Sequence, residues 1–399
     1  MSTEKSKLQT ASRLANGEVL HICFNSDHYP QVGGRTGGIG VFVQTLGRML
    51  VSRGCKVTVV GAGYKQDSID DDEGVQVIRI AKSKWPVGKF VQQIWRINAA
   101  IKKAHKQSPI HILECSEVGL ALIKKISGVK NIIRMHGGHH FFIHAQHMKL
   151  VPKTVWQEKR SFEKTDALCA VSRYVNEETS KYLGFDAGKT TILYNGVLPA
   201  KLQLLAGDAT TISGKIVFVG TICEKKGARQ LVQSFAAVKK EVPHAELFMA
   251  GPDWFFPDGT SYTFYLQQYI PAELASSIHL MGALSNTEVP ALIASAEVCV
   301  YPSHMEAMPM AWLEAMSVGK PVVASITGPG KELIDHEIDG LLCDPYSPES
   351  IASNLVRFLK NSAFAKQCGE RAQQKVIKHF DMEKLVDENI AFYEKVLGL

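Results

Sequence analysis

The chain has 399 residues, 45% of them apolar and 21% charged, which excludes the disordered and fibrous classes and calls for two domains rather than one. Forty-five Lys and Arg against thirty-nine Asp and Glu leave a net charge of +6, too diffuse to argue for nucleic acid. Residues 1–17 are polar and read as a loose tail without a signal-peptide core. No apolar run reaches the ~18 residues of a spanning helix, so the expected location is the cytoplasm. An apolar strand over 19–24 leads into a glycine-rich loop, Gly33-Gly34-Arg35-Thr36-Gly37-Gly38. Ile39, Phe42, Val43, Leu46 and Leu50 then recur at helical spacing, and Gly54 closes that helix. A strand over 56–60 completes the βα unit of a parallel sheet. Further strands are expected over 76–80, 110–114, 131–135, 167–171 and 191–194.

Residues 196–214 are polar and weakly patterned and read as a linker, after which the pattern restarts. Strands are expected over 215–219, 245–250, 278–281, 297–301 and 321–324, with helices over 227–240, 287–295 and 309–318. Helices follow over 350–359 and 364–379, and a last one over 382–397 is long enough to pack back across the domain boundary. The fold class is therefore α/β, with two Rossmann-like, doubly wound domains over 1–198 and 199–381, and with 382–399 returned to the first. The eight cysteines lie far apart, several inside apolar runs, and read as small core residues in a reducing compartment.

Open parallel sheets bind ligands at the carboxyl ends of their strands, so two such sheets facing one another are expected to hold a ligand in the cleft between them. The densest of these loops is Tyr301-Pro-Ser-His-Met-Glu306-Ala-Met-Pro-Met-Ala-Trp-Leu-Glu314. Pro309 suits the first turn of a helix, where a missing N–H is no loss. The free amides near Met308 and Met310 then favour an anion. Glu314 falls about one and a half turns further along an otherwise apolar helix. A carboxylate there needs a partner, and the two hydroxyls of a ribose would supply one.

Glu306 and Glu314 thus stand in a Glu-x7-Glu spacing, followed by EAMSVGKPVVAS. The segment resembles the donor-site signature of the retaining, nucleotide-sugar-dependent glycosyltransferases of the two-Rossmann (GT-B) type, the family four group. The resemblance extends over most of the chain. Gly37-Gly38-Ile39-Gly40 is similar to the family's N-terminal glycine loop and His136-Gly137 to its cleft histidine. Asn195-Gly196-Val197 is similar to the turn before its linker, VFVGTICEKKGARQL to its basic phosphate loop, and Glu337-Ile-Asp-Gly340-Leu-Leu to a turn near its C-terminus.

What the resemblance implies is a nucleotide-diphosphate sugar, most simply a UDP-sugar, as donor and co-substrate, with no metal or other cofactor. Glu306 would contact the donor sugar hydroxyls, with the amides at Met308 and Met310 touching sugar and phosphate. Glu314 would bind the ribose, and Lys226, with Lys225 beside it, would neutralise the diphosphate. His136 would contact the transferred sugar, and Gly37, Gly38 and Gly220 would let backbone approach the phosphates. The acceptor would be a glycan, a lipid-linked sugar or a small molecule. In one place the chain departs from the family: Thr221 in Gly220-Thr221-Ile222-Cys-Glu-Lys-Lys226-Gly stands where an Arg is usual. Losing one such contact costs ~3 kcal/mol of transition-state stabilisation unless Lys225 or another cation compensates.

Other signals weigh less. The tract HGGHHFFIHAQH carries His136, His139, His140, His144 and His147 but no zinc-like spacing, so no metal is expected. Residues 82–106 carry seven Lys and Arg, two Trp and no acid. They read either as a surface helix with Phe90, Ile94, Ile97 and Ile101 facing the core, or as a peripheral contact with the inner face of a membrane. No dinucleotide fingerprint, P-loop or nucleophile elbow is present. Two alternatives to a transferase stay open: a nucleotide-sugar 2-epimerase on the same scaffold, and a catalytically weak nucleotide-binding subunit.

Overall fold

The structure, a computed structural model, describes residues 17–31, 37–84, 88–145 and 149–399. Residues 33–36 of the glycine loop, 85–87 of the basic stretch, His147 and the His144 side chain lie outside the described residues, as does the tail up to residue 16. The chain divides into two compact units, Met1–Tyr194 with Met382–Leu399, and Asn195–Asp381. The division falls after Tyr194 rather than after residue 198. The cause is local: Val197 donates its amide to the Phe380 carbonyl at 3.0 Å and so belongs with the second unit.

The first unit holds β1 (His21–Asn25), β2 (Lys56–Tyr64), β3 (Ser68–Asp72), β4 (Val75–Ala81), β5 (Ile112–Cys115), β6 (Lys130–Met135), β7 (Ala167–Ala170) and β8 (Thr191–Ile192). Their order in the sheet is β3-β4-β2-β1-β5-β6-β7-β8, parallel throughout except for β3 against β4. Most of the parallel strands read as near-continuous apolar runs because both their faces are covered. The helix Gly38–Ser52 buries Phe42, Val43, Leu46 and Leu50 as its spacing requires, and Gly54, at φ +81°, turns the chain into β2.

Helix Met382–Leu397 belongs to this unit, and its side chains enter the core. Arg134 on β6 donates to Glu114 on β5 (Nε to Oε1, 2.7 Å) and to Asn389 (Nη2 to Oδ1, 2.6 Å), while the Tyr393 hydroxyl donates to Glu114 at 2.7 Å. These side chains are all buried, and the helix supports the pair in a dry interior by adding Asn389 on the guanidinium and Tyr393 on the carboxylate. Of the positions expected to face the core in helix Lys89–Gln107, Ile97 and Ile101 do so, Ile94 is half-buried and Phe90 is exposed.

The second unit holds β9 (Lys215–Val219), β10 (Glu246–Ala250), β11 (Ile278–Gly282), β12 (Val298–Tyr301), β13 (Val322–Ser325) and β14 (Leu341–Cys343). All are parallel, in the order β11-β10-β9-β12-β13-β14. The segment read as linker contains a helix, Pro199–Ala206, started by a proline in its first turn and tied down by Gln203 donating to the Ser317 carbonyl at 3.1 Å. All eight cysteines are free and buried.

Candidate functional site

The parallel strands of each sheet have a point where their order reverses, between β1 and β5 in the first unit and between β9 and β12 in the second. At such a reversal the two loops leave in opposite directions and open a crevice at the carboxyl edge. The candidate residues of the second unit cluster at its crevice. The loop after β9 runs Gly220-Thr221-Ile222 into a single 3-10 turn, Glu224–Lys226, closed by Gly227 at φ +70°. A Cβ on Gly227 would lie 1.9 Å from the Pro302 carbonyl oxygen, so only glycine lets this loop press against the loop after β12.

That approach brings Lys226 onto Glu306, whose Oε1 accepts from the lysine ammonium. Burial pushes the Glu306 carboxyl up, but Lys226, then Lys225, together with hydrogen bonds from Lys226 and Ser303, hold it below the usual carboxylate range. Burial lowers Lys225, with Glu306 opposing. Thr221 is half-buried at the start of the same loop. Arg229, the nearest arginine in sequence, is committed elsewhere. It forms a two-pronged pair with Glu224 (2.6 and 3.1 Å), and Glu224 also accepts from Gln230 and from the Tyr262 hydroxyl.

The helix after β12, Met310–Ser317, starts one residue later than expected: Pro309 is its cap, in extended conformation, rather than its first helical residue. Among the described residues, no protein group accepts from the Met308 or Met310 amide. Trp312, Leu313, Ala315, Met316 and Ser317 are buried, whereas Met310, Ala311 and Glu314 form the half-buried stripe of this helix. The Glu314 carboxylate has no hydrogen bond or ion pair to any described residue, and burial alone pushes it up to about 7. An unpaired, half-buried carboxylate one turn from two free amides is costly unless a ligand completes it.

His136, Gly37 and Gly38 belong to the first unit. His136 follows β6 and is nearly fully buried; burial, then Arg134, lowers its imidazole to about 3, so the ring is neutral. It meets the Phe42 ring edge-on at 5.4 Å and lines a 260 Å³ cavity with Ser26, His28, Ile39, Ser116 and Arg134. This cavity lies at the β1–β5 crevice. Gly37 caps the first helix and Gly38 begins it, and a Cβ on either would meet open space. The close approach falls instead on Gly40, where a Cβ would lie 1.8 Å from the His28 carbonyl oxygen.

Several residues of these sites escaped the motif reading. Ser303 supports Glu306, Glu224 removes Arg229, and His304 stacks on Tyr346 at a ring separation of 4.5 Å while its amide donates to the Lys225 carbonyl. In the first unit, Glu117 accepts from the His136 amide at 2.6 Å. Only their position after a strand end could have flagged Glu117, Ser303 and His304.

Residues 36–201 match the family model Glycosyltransferase Family 4, and residues 211–375 match Glycosyl transferases group 1. The chain belongs to the glycosyltransferases built from these two domains. It is 24% identical over 387 residues to the N-acetyl-alpha-D-glucosaminyl L-malate synthase of Bacillus anthracis, covering 92% of this chain and 96% of that one. Among solved structures it is similar to sucrose-phosphate synthase of Thermosynechococcus elongatus (TM-score 0.77, 19% identity, 95% of this chain and 99% of that one). It is also similar to the HepE protein of Anabaena in complex with UDP and glucose (TM-score 0.74, 17% identity, 94% and 100%). At such identities these structures speak for the fold, which is GT-B.

Proposed function

We propose that the chain transfers a sugar from a UDP-sugar to an acceptor hydroxyl with retention of anomeric configuration and without a resident metal. The observation that carries this reading is the β9–β12 crevice, where Lys226 and Glu306 pair and Glu314 stands unpaired one turn from the free amides. Lys226 and Lys225 take the diphosphate, the Met308 and Met310 amides take sugar and phosphate oxygens, Glu306 takes sugar hydroxyls and Glu314 the ribose diol. His136, neutral and therefore able to donate or accept, contacts the transferred sugar. Stabilising the departing diphosphate does most of the work, since the negative charge that develops there meets fixed donors. The UDP complex of the HepE protein supports the choice of base, and the name of the Bacillus anthracis synthase supports including small hydroxy acids among the acceptors tried.

The test is calorimetric titration of UDP, GDP, ADP and dTDP with and without magnesium, followed by an acceptor screen with the matching sugar donor and NMR of the product anomer. Tight, metal-independent binding of UDP and an axial product from an axial donor are expected. Binding of none of the four nucleotides overturns the donor-site reading, and an inverted product overturns retention.

We further propose that the face around residues 82–106 rests on an anionic lipid surface. Helix Lys89–Gln107 exposes Phe90, Val91 (70%) and Trp95 (67%), beside a groove of about 730 Å³ whose rim includes Lys102, Lys106 and Lys125. Apolar side chains flanked by lysines suit the boundary between headgroups and acyl chains. Sedimentation with phosphatidylglycerol vesicles at low salt is expected to carry the protein down, and Trp95→Ser to weaken that severalfold. Equal partition of both proteins would count against this contact.

A further inference from the structure

The tract that begins at His136 is wound around two buried carboxylates to which the donor chemistry assigns no role. Glu117 follows β5, and Glu158 lies on helix Pro152–Glu163; they are 4% and 0% exposed. Glu117 Oε1 accepts from the His136 amide at 2.6 Å, and the Gly137 amide also faces that carboxyl. Glu158 accepts from the amides of His139 (2.9 Å) and His140 (3.2 Å), and its second oxygen meets the His140 ring at Nδ1. The two glycines of the tract make the winding possible. Gly137 lies at φ +89°, and a Cβ on Gly138 would sit 1.9 Å from Glu158 Oε1 and 2.9 Å from Glu117 Cγ. Buried carboxylates side by side are costly, and loop amides on a surface can be satisfied by water. Here both carboxylates accept from one stretch of backbone, which bears a side chain on the cavity wall.

We propose that Glu117 and Glu158 are positioning residues, clamping the His136–His140 backbone from its two ends and so fixing the His136 ring against Phe42. This rests on the reading of His136 as the residue that contacts the transferred sugar. Neither carboxylate touches substrate; both act through the loop. The clamp also carries its own pH dependence. Burial, with the Glu158 charge adding and the amides opposing, pushes the Glu117 carboxyl up to about 8. The groups facing it are its own amide, Glu158, the His136 and Gly137 amides, and Cys169 on β7, with His140 bound to Glu158 beyond. At neutral pH Glu117 is uncharged and accepts the His136 amide without repelling Glu158. Above about 8 it ionises beside a second carboxylate and the loop loosens.

The experiment compares Glu117→Gln, Glu117→Ala and His136→Ala with the unmodified full chain, reading kcat, donor KM, UDP affinity and thermal melting from pH 6 to 9. Expected are a fall of kcat in the unmodified protein as pH rises through about 8, and a Glu117→Gln variant within about threefold at pH 7 whose kcat is flat across that range. Glu117→Ala is expected to lose ~100-fold in kcat, the scale of a small misplacement, with UDP affinity unchanged. A Glu117→Gln variant as poor as Glu117→Ala, or one that keeps the alkaline fall, overturns the proposal. If Glu117→Ala does not fold, the profile of Glu117→Gln decides alone. The two readings fail differently: a His136→Ala variant with normal kcat sinks the role of His136, whereas a crippled His136→Ala beside a normal Glu117→Ala sinks only the clamp.

Discussion

Lys226→Ala is expected to lower kcat/KM by ~10²–10³-fold and to weaken UDP binding by roughly 10- to 100-fold. The first figure is the effect of removing one fixed donor from a developing oxyanion, and the second corresponds to one charge-assisted contact of about 1.5–3 kcal/mol. Thr221 makes the loss large. With no arginine in the loop and Arg229 held by Glu224, the other cation of this loop is Lys225, whose charge burial disfavours. Glu306→Gln should behave in the opposite way. In the free protein Glu306 holds Lys226, so a diphosphate must share that ammonium; removing the carboxylate charge releases it. UDP affinity is therefore expected to hold or rise severalfold in Glu306→Gln while turnover falls at least tenfold, because the sugar loses its acceptor. Calorimetry with UDP and steady-state kinetics on both variants check this. A Lys226→Ala variant that binds UDP like the unmodified protein would remove Lys226 from the diphosphate.

The split between what could be read in advance and what could not follows from how local each feature is. Strands such as β1, β9 and β12 announce themselves because parallel strands covered on both faces must be apolar along their whole length. Gly227 is legible as a loop residue, and its structural reason, the Pro302 carbonyl 1.9 Å from where a Cβ would be, is not. β3 carries no strand signal, since Ser-Ile-Asp-Asp-Asp has poor strand propensity. It forms because Asp70 pairs with Arg79 and Asp72 with Arg48, and because Glu73 and Gly74, both at positive φ, make the tight hairpin turn. β14 is silent for a related reason: three residues after a turn are too few for a periodicity, and register with β13 defines the strand. In the site, the Glu306–Glu314 spacing lies within one loop and one helix and is visible in a single line of sequence. Glu117 and Glu158 stand 41 positions apart, and what joins them is the backbone of a third segment. A side chain that binds the backbone of a distant segment leaves no spacing in the sequence. Likewise a helical period fits Phe90 facing either inward or outward, and the described helix leaves it exposed.

Glu314→Gln is expected to weaken UDP binding by about 10- to 100-fold at pH 8 and yet to make the free protein more stable at that pH. The binding loss is that of one charged acceptor facing two ribose hydroxyls. The gain in stability follows from the direction of the Glu314 shift. Burial raises its folded-state pKa to about 7 from an ordinary 4.5, so between those values the folded chain holds a proton that the unfolded chain has released. The stability linked to this group is fully present at acid pH and is lost as pH rises from about 4.5 through 7. Glutamine cannot ionise and escapes that loss, so the melting temperature of Glu314→Gln should exceed that of the unmodified protein by a few degrees at pH 8, with the gap closing towards pH 4.5. Nucleotide binding turns the same linkage around. Ribose hydroxyls donate to the ionised carboxylate, so UDP drives the proton off, and affinity in the unmodified protein should climb with pH across 7 and level above 8. In Glu314→Gln it should be weak and flat. Calorimetry in two buffers of different ionisation enthalpy adds an independent reading, since proton release on binding at pH 6.5 is expected only while Glu314 is present. A protein whose UDP affinity ignores both pH and this substitution binds its ribose elsewhere, and the unpaired carboxylate on helix Met310–Ser317 would then need another ligand to account for it.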